Sequence, residues 1–349
     1  MKAAFLSGLR KIEIREAPEP KIDKPTDVLL AVEAVGVCGS DMHYYKDGRI
    51  GCQIVEFPWI LGHECSARVL EVGPDVNRVK HGDRVSVDPL INCGRCDQCL
   101  AGRIHTCRDQ RFLGCPGQLQ GSLSERMVMP EASCFVVPDN MSAEQAALAE
   151  PLCISLWAQK LAEQADGMKI GILGAGPIGL GVLAACKLAG DCTAYHTDLF
   201  DNRLALARKF GADWTSNAAR ADTVKEVAAV EPLGLDVVFE CVGLQETIDQ
   251  SLELLKPGGR LVLVGIPIED NASFNMNNMR RKELQVQNVR RQLDQVPRAL
   301  EMIATGKIDA DATVTHRFTL DQTQEAFDLV ADYRDGVVKA MINVVDGRR

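Results

Sequence analysis

The chain has 349 residues, 46% of them hydrophobic, and a formal net charge of −9: enough for about two domains with cores of their own, and too apolar for a disordered chain. The acidic balance disfavours nucleic acid and anionic membrane as partners. No apolar run approaches the ~20 residues that cross a bilayer, and the N-terminal apolar stretch is too short for a signal peptide, so the thirteen cysteines point to a reducing cytoplasm rather than to disulfides.

Taken in chain order, Val28 to Val37 reads as a β-branched strand that delivers Cys38. Ala67–Val72 alternates, and Gly82–Val87 is a further short strand. Gly and Pro punctuate the first 150 residues or so, which predicts an antiparallel, barrel-like domain. Cys93, Cys96 and Cys99 are each separated by two residues, and Cys107 follows after seven more. Four thiolates so spaced can close around one tetrahedral zinc with no open position, a structural site. Ser142 reads as a helix N-cap with Gln145 as its capping-box partner. A second, open site is suggested by Cys38 and by His63-Glu64. A catalytic zinc keeps few protein ligands and one open position. Cys38 and His63 are the soft and borderline donors, and the third is an oxygen or sulfur donor, with Glu64 and Glu150 as the candidates.

Near Pro151 the pattern changes. Lys169–Leu173, Cys192–Asp198, Leu235–Cys241 and Arg260–Ile266 are buried strands that alternate with helices, among them Asn202–Phe210. Lys256-Pro257-Gly258-Gly259 reads as a turn. This is the signature of an α/β, doubly wound parallel sheet covered on both faces. Strand Ile170–Leu173 runs into Gly174-Ala175-Gly176-Pro177-Ile178-Gly179, and a helix follows over Leu180–Leu188. In that context Gly174 makes a tight turn, Gly176 lets backbone approach a pyrophosphate, Gly179 allows close helix–strand packing, and the helix N-terminus faces the phosphates. Asp198 ends the next strand, where a carboxylate accepts ribose hydroxyls and repels a 2′-phosphate, so NAD is expected over NADP. Arg203 would cover the adenine or meet a 2′-phosphate. Val242, Val264 and Asn288 complete the expected cofactor contacts. After Asn288 come a helix over Arg298–Ala304, another after Asp321 with Gln324 as its capping partner, and a strand over Val337–Val345. The tail is expected to return to the first domain, giving 1–152 with 290–349, and 153–289.

Gly36–His43 followed by Tyr44-Tyr45-Lys46-Asp47-Gly48-Arg49-Ile50-Gly51, then Gly62-His63-Glu64, the cysteine cluster, Glu150-Pro151-Leu152, Gly174–Gly179 and Asp198 agree in order and content with one family. The chain resembles the zinc-dependent medium-chain dehydrogenases, and within them the sorbitol/xylitol (polyol) branch. The resemblance implies a GroES-like, mostly antiparallel β catalytic domain, a Rossmann domain and a cleft between them. It implies two zinc ions, with the catalytic one on Cys38, His63 and a glutamate, either Glu64 or Glu150. It further implies proton relay through Ser40 and His43 with Glu150 or Glu64, substrate contacts at Tyr45, Phe112 and Arg290, and a homo-oligomer, dimer or tetramer. One departure is Arg290-Arg291, where the branch often has Arg-Tyr. The second guanidinium would favour a carboxylate-bearing substrate or face solvent. His81, His105, His196 and His316 lack ligand-like spacing and read as structural or solvated. The expected activity is NAD-dependent oxidation of a secondary hydroxyl of a polyol to a ketose. Competing readings are a threonine or sugar-acid dehydrogenase on the same scaffold, a silent NAD(P)-binding scaffold, and a zinc ribbon for nucleic acid, which the acidic charge disfavours.

Overall fold

The computed structural model describes residues 1–344. They form two compact units, Met1–Glu150 with the described residues from Val296 onward, and Pro151–Gln295. The first boundary lies inside the helix Ala143–Leu161, which carries Pro151. None of the described helices is long and apolar enough to cross a membrane.

The first unit is built on a seven-stranded sheet. Its central path runs Cys134–Val136, Arg84–Val87, Glu64–Val72, Asp27–Gly36, Lys339–Asn343 and Val314–Thr319, with Arg126–Pro130 also paired to Asp27–Gly36. Every pair is antiparallel except the last, Val314–Thr319 with Lys339–Asn343. Val28, Leu30 and Val32 are fully buried while the residues between them are partly exposed. Each such side chain contributes about 1.5–3 kcal/mol on burial. A one-residue slip would turn all three to the other face, so the register is firmly held. Two placements in this sheet matter below. The strand expected to begin at Ala67 begins at Glu64. Gly36 stands between Glu64 on one neighbouring strand and Met341 on the other.

The second unit is a six-stranded, wholly parallel sheet in the order Trp214–Asn217, Cys192–Asp198, Met168–Leu173, Leu235–Glu240, Leu255–Leu263, Gln285–Asn288. Chain order reverses between Met168–Leu173 and Leu235–Glu240. In such sheets ligands bind outside the carboxyl ends of the strands at that reversal.

Three local expectations change. Lys256–Gly259 is not a separate turn but an irregularity inside the strand Leu255–Leu263. Leu235 pairs with Leu255, Val237 pairs with Arg260, and Gly258 takes φ +77° in the extra length of chain. Ser142 and Gln145 do cap reciprocally, at 2.9 and 3.1 Å. The corresponding box later in the chain is Thr319 with Gln322, ahead of the helix Thr323–Ala331, and not Asp321 with Gln324. Gln324 is occupied instead, accepting from the Ile12 N–H and donating to the Tyr45 hydroxyl. The last strand is Lys339–Asn343, and Val345 lies outside the described residues.

Candidate active site and nucleotide loop

Strand Asp27–Gly36 leads through Val37 to Cys38, the N-cap of helix Gly39–Asp47. Asp41, in the first turn of that helix and 1% exposed, ties the region together. Its Oδ2 accepts from the Cys38 N–H at 3.2 Å, and its Oδ1 lies 3.4 Å from the Gly62 nitrogen and 3.5 Å from His63 Nδ1. Asp41 therefore orients the imidazole through Nδ1, leaving Nε2 for a metal, as carboxylates behind histidine ligands do. Nothing in its local spacing distinguished Asp41 from an ordinary helix-start acid, and it was not among the expected site residues. Burial opposes charge on His63, but the Cys38 thiol and Asp41 outweigh it and hold the His63 pKa well above its ordinary value. Ser40 Oγ donates to Cys38 Sγ at 3.3 Å. His43 is half-buried, with Nδ1 3.7 Å from Asp47. The Phe112 ring lies 5.3 Å from the His63 ring.

The two glutamates are in different circumstances. Glu64 Oε2 forms a buried ion pair with Lys339 at 2.5 Å, both residues being 2% exposed. Glu150 is buried, and burial, reinforced by Glu64 and Asp88, pushes its carboxyl up to about 8 despite His63 and Lys339. Cys38, His63 and the Glu150 carboxyl are donor types that suit zinc, but among the described residues their ligand atoms do not form a group lying within 4.8 Å of one another. Tyr45 must be withdrawn from the substrate contacts. It is fully buried, packs edge-on to Phe327, and spends its hydroxyl on Asp328 and the Arg10 carbonyl.

Among the described residues, the one group of three or more potential ligands whose donor atoms all lie within 4.8 Å of one another is Cys93, Cys96, Cys99 and Cys107. Cys96 Sγ lies 3.6 Å from Cys99 Sγ and 3.9 Å from Cys107 Sγ, and Cys93 Sγ lies 4.0 Å from Cys99 Sγ. A tetrahedron with Zn–S of about 2.3 Å has edges of about 3.8 Å, so the quartet fits a closed zinc. Backbone N–H groups of Arg108 and Cys99 lower Cys96 to about 6, while burial and the neighbouring thiols push Cys99 up to about 12.

In the second unit, Gly174 has φ +97°, and helix Pro177–Ala189 starts directly at the loop, earlier than Leu180. A Cβ on Gly179 would overlap the Gly174 carbonyl oxygen. Asp198 accepts from the Ala175 N–H at 2.6 Å and the Phe200 N–H at 2.9 Å, and each carboxylate oxygen keeps further acceptor capacity. The Arg203 guanidinium is 5.1 Å from the Phe200 ring and beside Gly176. Val242 packs at Gly174, while Val264 and Asn288 line a cavity of about 520 Å³ at the strand ends. His196, expected to be merely structural or solvated, is fully buried with Nε2 3.0 Å from the Gly174 oxygen, so it supports this loop. Arg290 is exposed just past the last strand, and Arg291 follows at φ +52°.

Residues 24–139 match the alcohol dehydrogenase GroES-like domain and residues 177–305 the zinc-binding dehydrogenase domain. Sorbitol dehydrogenase of Bacillus subtilis (strain 168) is 36% identical over 98% of this chain and 97% of its own. L-idonate 5-dehydrogenase of Vitis vinifera is 35% identical over 98% and 94%. A solved structure from Sinorhizobium meliloti 1021, bound to NADP, superposes with a TM-score of 0.90 at 32% identity, covering 98% of this chain and 99% of that one.

Proposed function

We propose, for a chain that belongs to the zinc-binding medium-chain dehydrogenases and within them to the sorbitol dehydrogenase branch, the NAD-dependent oxidation of a polyol's secondary hydroxyl to a ketose. The observation that carries this reading is half-buried Cys38 with buried His63 and Glu150 in one unit of a chain whose other unit has the nucleotide loop. Zinc held there would polarise the substrate hydroxyl and bring its pKa towards neutrality.

The chain's own residues supply the rest. Asp41 sets the His63 ring. The Phe112 ring lies tilted against it. Glu150, Ser40 and His43 offer proton-accepting groups around Cys38 and His63, the expected exit for the hydroxyl proton. Asp198, with acceptor capacity remaining beside the glycine loop, supports NAD over NADP. Arg203 and Arg290 are proposed at the cofactor and substrate. The four cysteine thiols must stay reduced to hold zinc, which supports the cytoplasm.

A panel of hexitols, pentitols, threonine and aldonates, read by NADH absorbance, tests the assignment. Turnover of polyols is expected. Preference for an aldonate would favour the sugar-acid reading. No turnover of any secondary alcohol by a zinc-replete sample would sink the reading.

A further inference from the structure

Glu240 ends the strand Leu235–Glu240, which pairs with the strand that carries the glycine loop, and it is 1% exposed. A carboxyl buried at the sheet reversal is costly unless it is well bonded. Its Oε1 accepts from the Val242 and Gly243 N–H groups and from the Thr247 hydroxyl, each at 2.8 Å. Its carbonyl oxygen accepts from the Val264 and Gly265 N–H groups at 2.9 Å. One residue thus ties together the two segments that leave neighbouring strands, 241–243 and 264–266. They fit closely, since a Cβ on Gly265 would overlap the Gly243 nitrogen and Glu240 Oε2. The first segment also reaches the glycine loop. The Cys241 N–H donates to the Leu173 carbonyl at 2.9 Å, and a Cβ on Gly174 would lie 2.8 Å from Val242 Cγ2. Val242 is nevertheless 40% exposed, an apolar side chain presented beside Gly174. Among the described residues, Glu240 Oε2 has no hydrogen-bond partner, so the side chain's bonding is spent on one task, holding this segment.

We propose that Glu240 is a positioning residue for the dinucleotide: through the Val242 and Gly243 N–H groups it holds segment 241–243 against the glycine loop, so that Val242 stands where the bound cofactor meets it. The proposal rests on the NAD reading above and adds the group that shapes that side of the site. Without the side chain, two N–H groups lose their acceptor and the segment is free to move, which weakens cofactor binding and leaves Cys38 and His63, in the other unit, as they are. Burial raises the Glu240 pKa above its ordinary value although three donors face Oε1. The working part is therefore the accepting oxygen rather than the charge, and a glutamine places a carbonyl oxygen at the same reach.

The test titrates NADH into the whole zinc-loaded protein and follows its fluorescence, with melting curves on the same samples. Glu240→Ala should raise the NADH Kd by about tenfold or more, and Glu240→Gln should return it to within about threefold of wild type. A merely structural carboxyl would lower the melting temperature of Glu240→Ala and leave the Kd of the folded protein unchanged, and that result overturns the proposal. An equal loss of affinity in both variants makes the charge the active feature and overturns it too. Should Glu240→Ala fail to fold, amide hydrogen exchange in wild type decides. Added NADH should slow exchange over residues 241–243, and an unchanged rate there overturns the placement of Val242 at the cofactor. A wild type that binds no NADH overturns the cofactor reading and this proposal together, whereas tight binding with an indifferent Glu240 overturns the proposal alone.

Discussion

At the scale of single residues, Asp198 and Glu150 carry the readiest tests. Asp198 is expected to face the ribose while bracing Ala175 and Phe200. Hydrogen bonds to a charged acceptor contribute roughly 1.5–3 kcal/mol, so Asp198→Ala should lower kcat/KM for NAD by about ten- to a hundredfold. The NAD/NADP ratio isolates the ribose contact from general loosening of the loop, and it should narrow. An unchanged ratio would mean that the carboxylate serves only the backbone N–H groups it holds in the structure. Glu150→Gln keeps shape but removes the proton-accepting group, and kcat should fall by about a hundredfold. Zinc analysis on the same sample shows whether the carboxylate also holds the metal. Unchanged kcat and zinc content together would make Glu150 a bystander.

Two elements lend themselves to separate measurement. The cysteine lobe, Cys93 to Cys107, is short and rich in loop, and bound zinc would contribute to its folding. Cys93→Ser should reduce zinc from about two to about one per chain, lower the melting temperature, and leave the Cys38–His63 pair intact. Unaltered zinc content and melting would contradict a structural site. Strand Cys192–Asp198 gives a pH test. Burial lowers the His196 pKa to about 4, below its ordinary value. The unfolded chain therefore takes up this proton first, and stability is lost as pH falls from about 6.5 to about 4. The gap amounts to about 3 kcal/mol. His196→Gln, whose amide can still reach the Gly174 carbonyl, should show a shallower fall in denaturation free energy over that range. Parallel curves for the two proteins would remove His196 as the cause.

For the whole molecule, assembly is the open quantity. Ile266, Ile268 and Met276 are 42, 51 and 68% exposed, in the second unit whose edge strand is Gln285–Asn288. Exposed apolar groups and a sheet edge in the same unit favour pairing with another chain. A homo-oligomer is therefore expected, and light scattering after gel filtration measures it. Met276→Asp should shift the population towards monomer. A wild type monomeric at all concentrations would contradict this.

The sequence by itself determined what is local. Cysteines within fifteen residues predicted a quartet whose sulfurs indeed lie together, because the chain between them is too short to separate them far. A glycine loop between strand and helix was legible for the same reason, as were the alternating strands of a parallel sheet. Only the tertiary structure decided what depends on residues distant in the chain. Tyr45 was a pocket residue only by the family resemblance, and Asp328 and Phe327 claim it for the core. His196 carried no signal until a parallel strand set it under Gly174. Glu64 and Glu150 were indistinguishable as sequence, since each is simply a carboxylate near a histidine or a proline. They differ because Lys339 comes in 275 positions later, on a strand that reaches Glu64 only across a glycine, and a buried charge takes its character from whichever partner the fold brings to it.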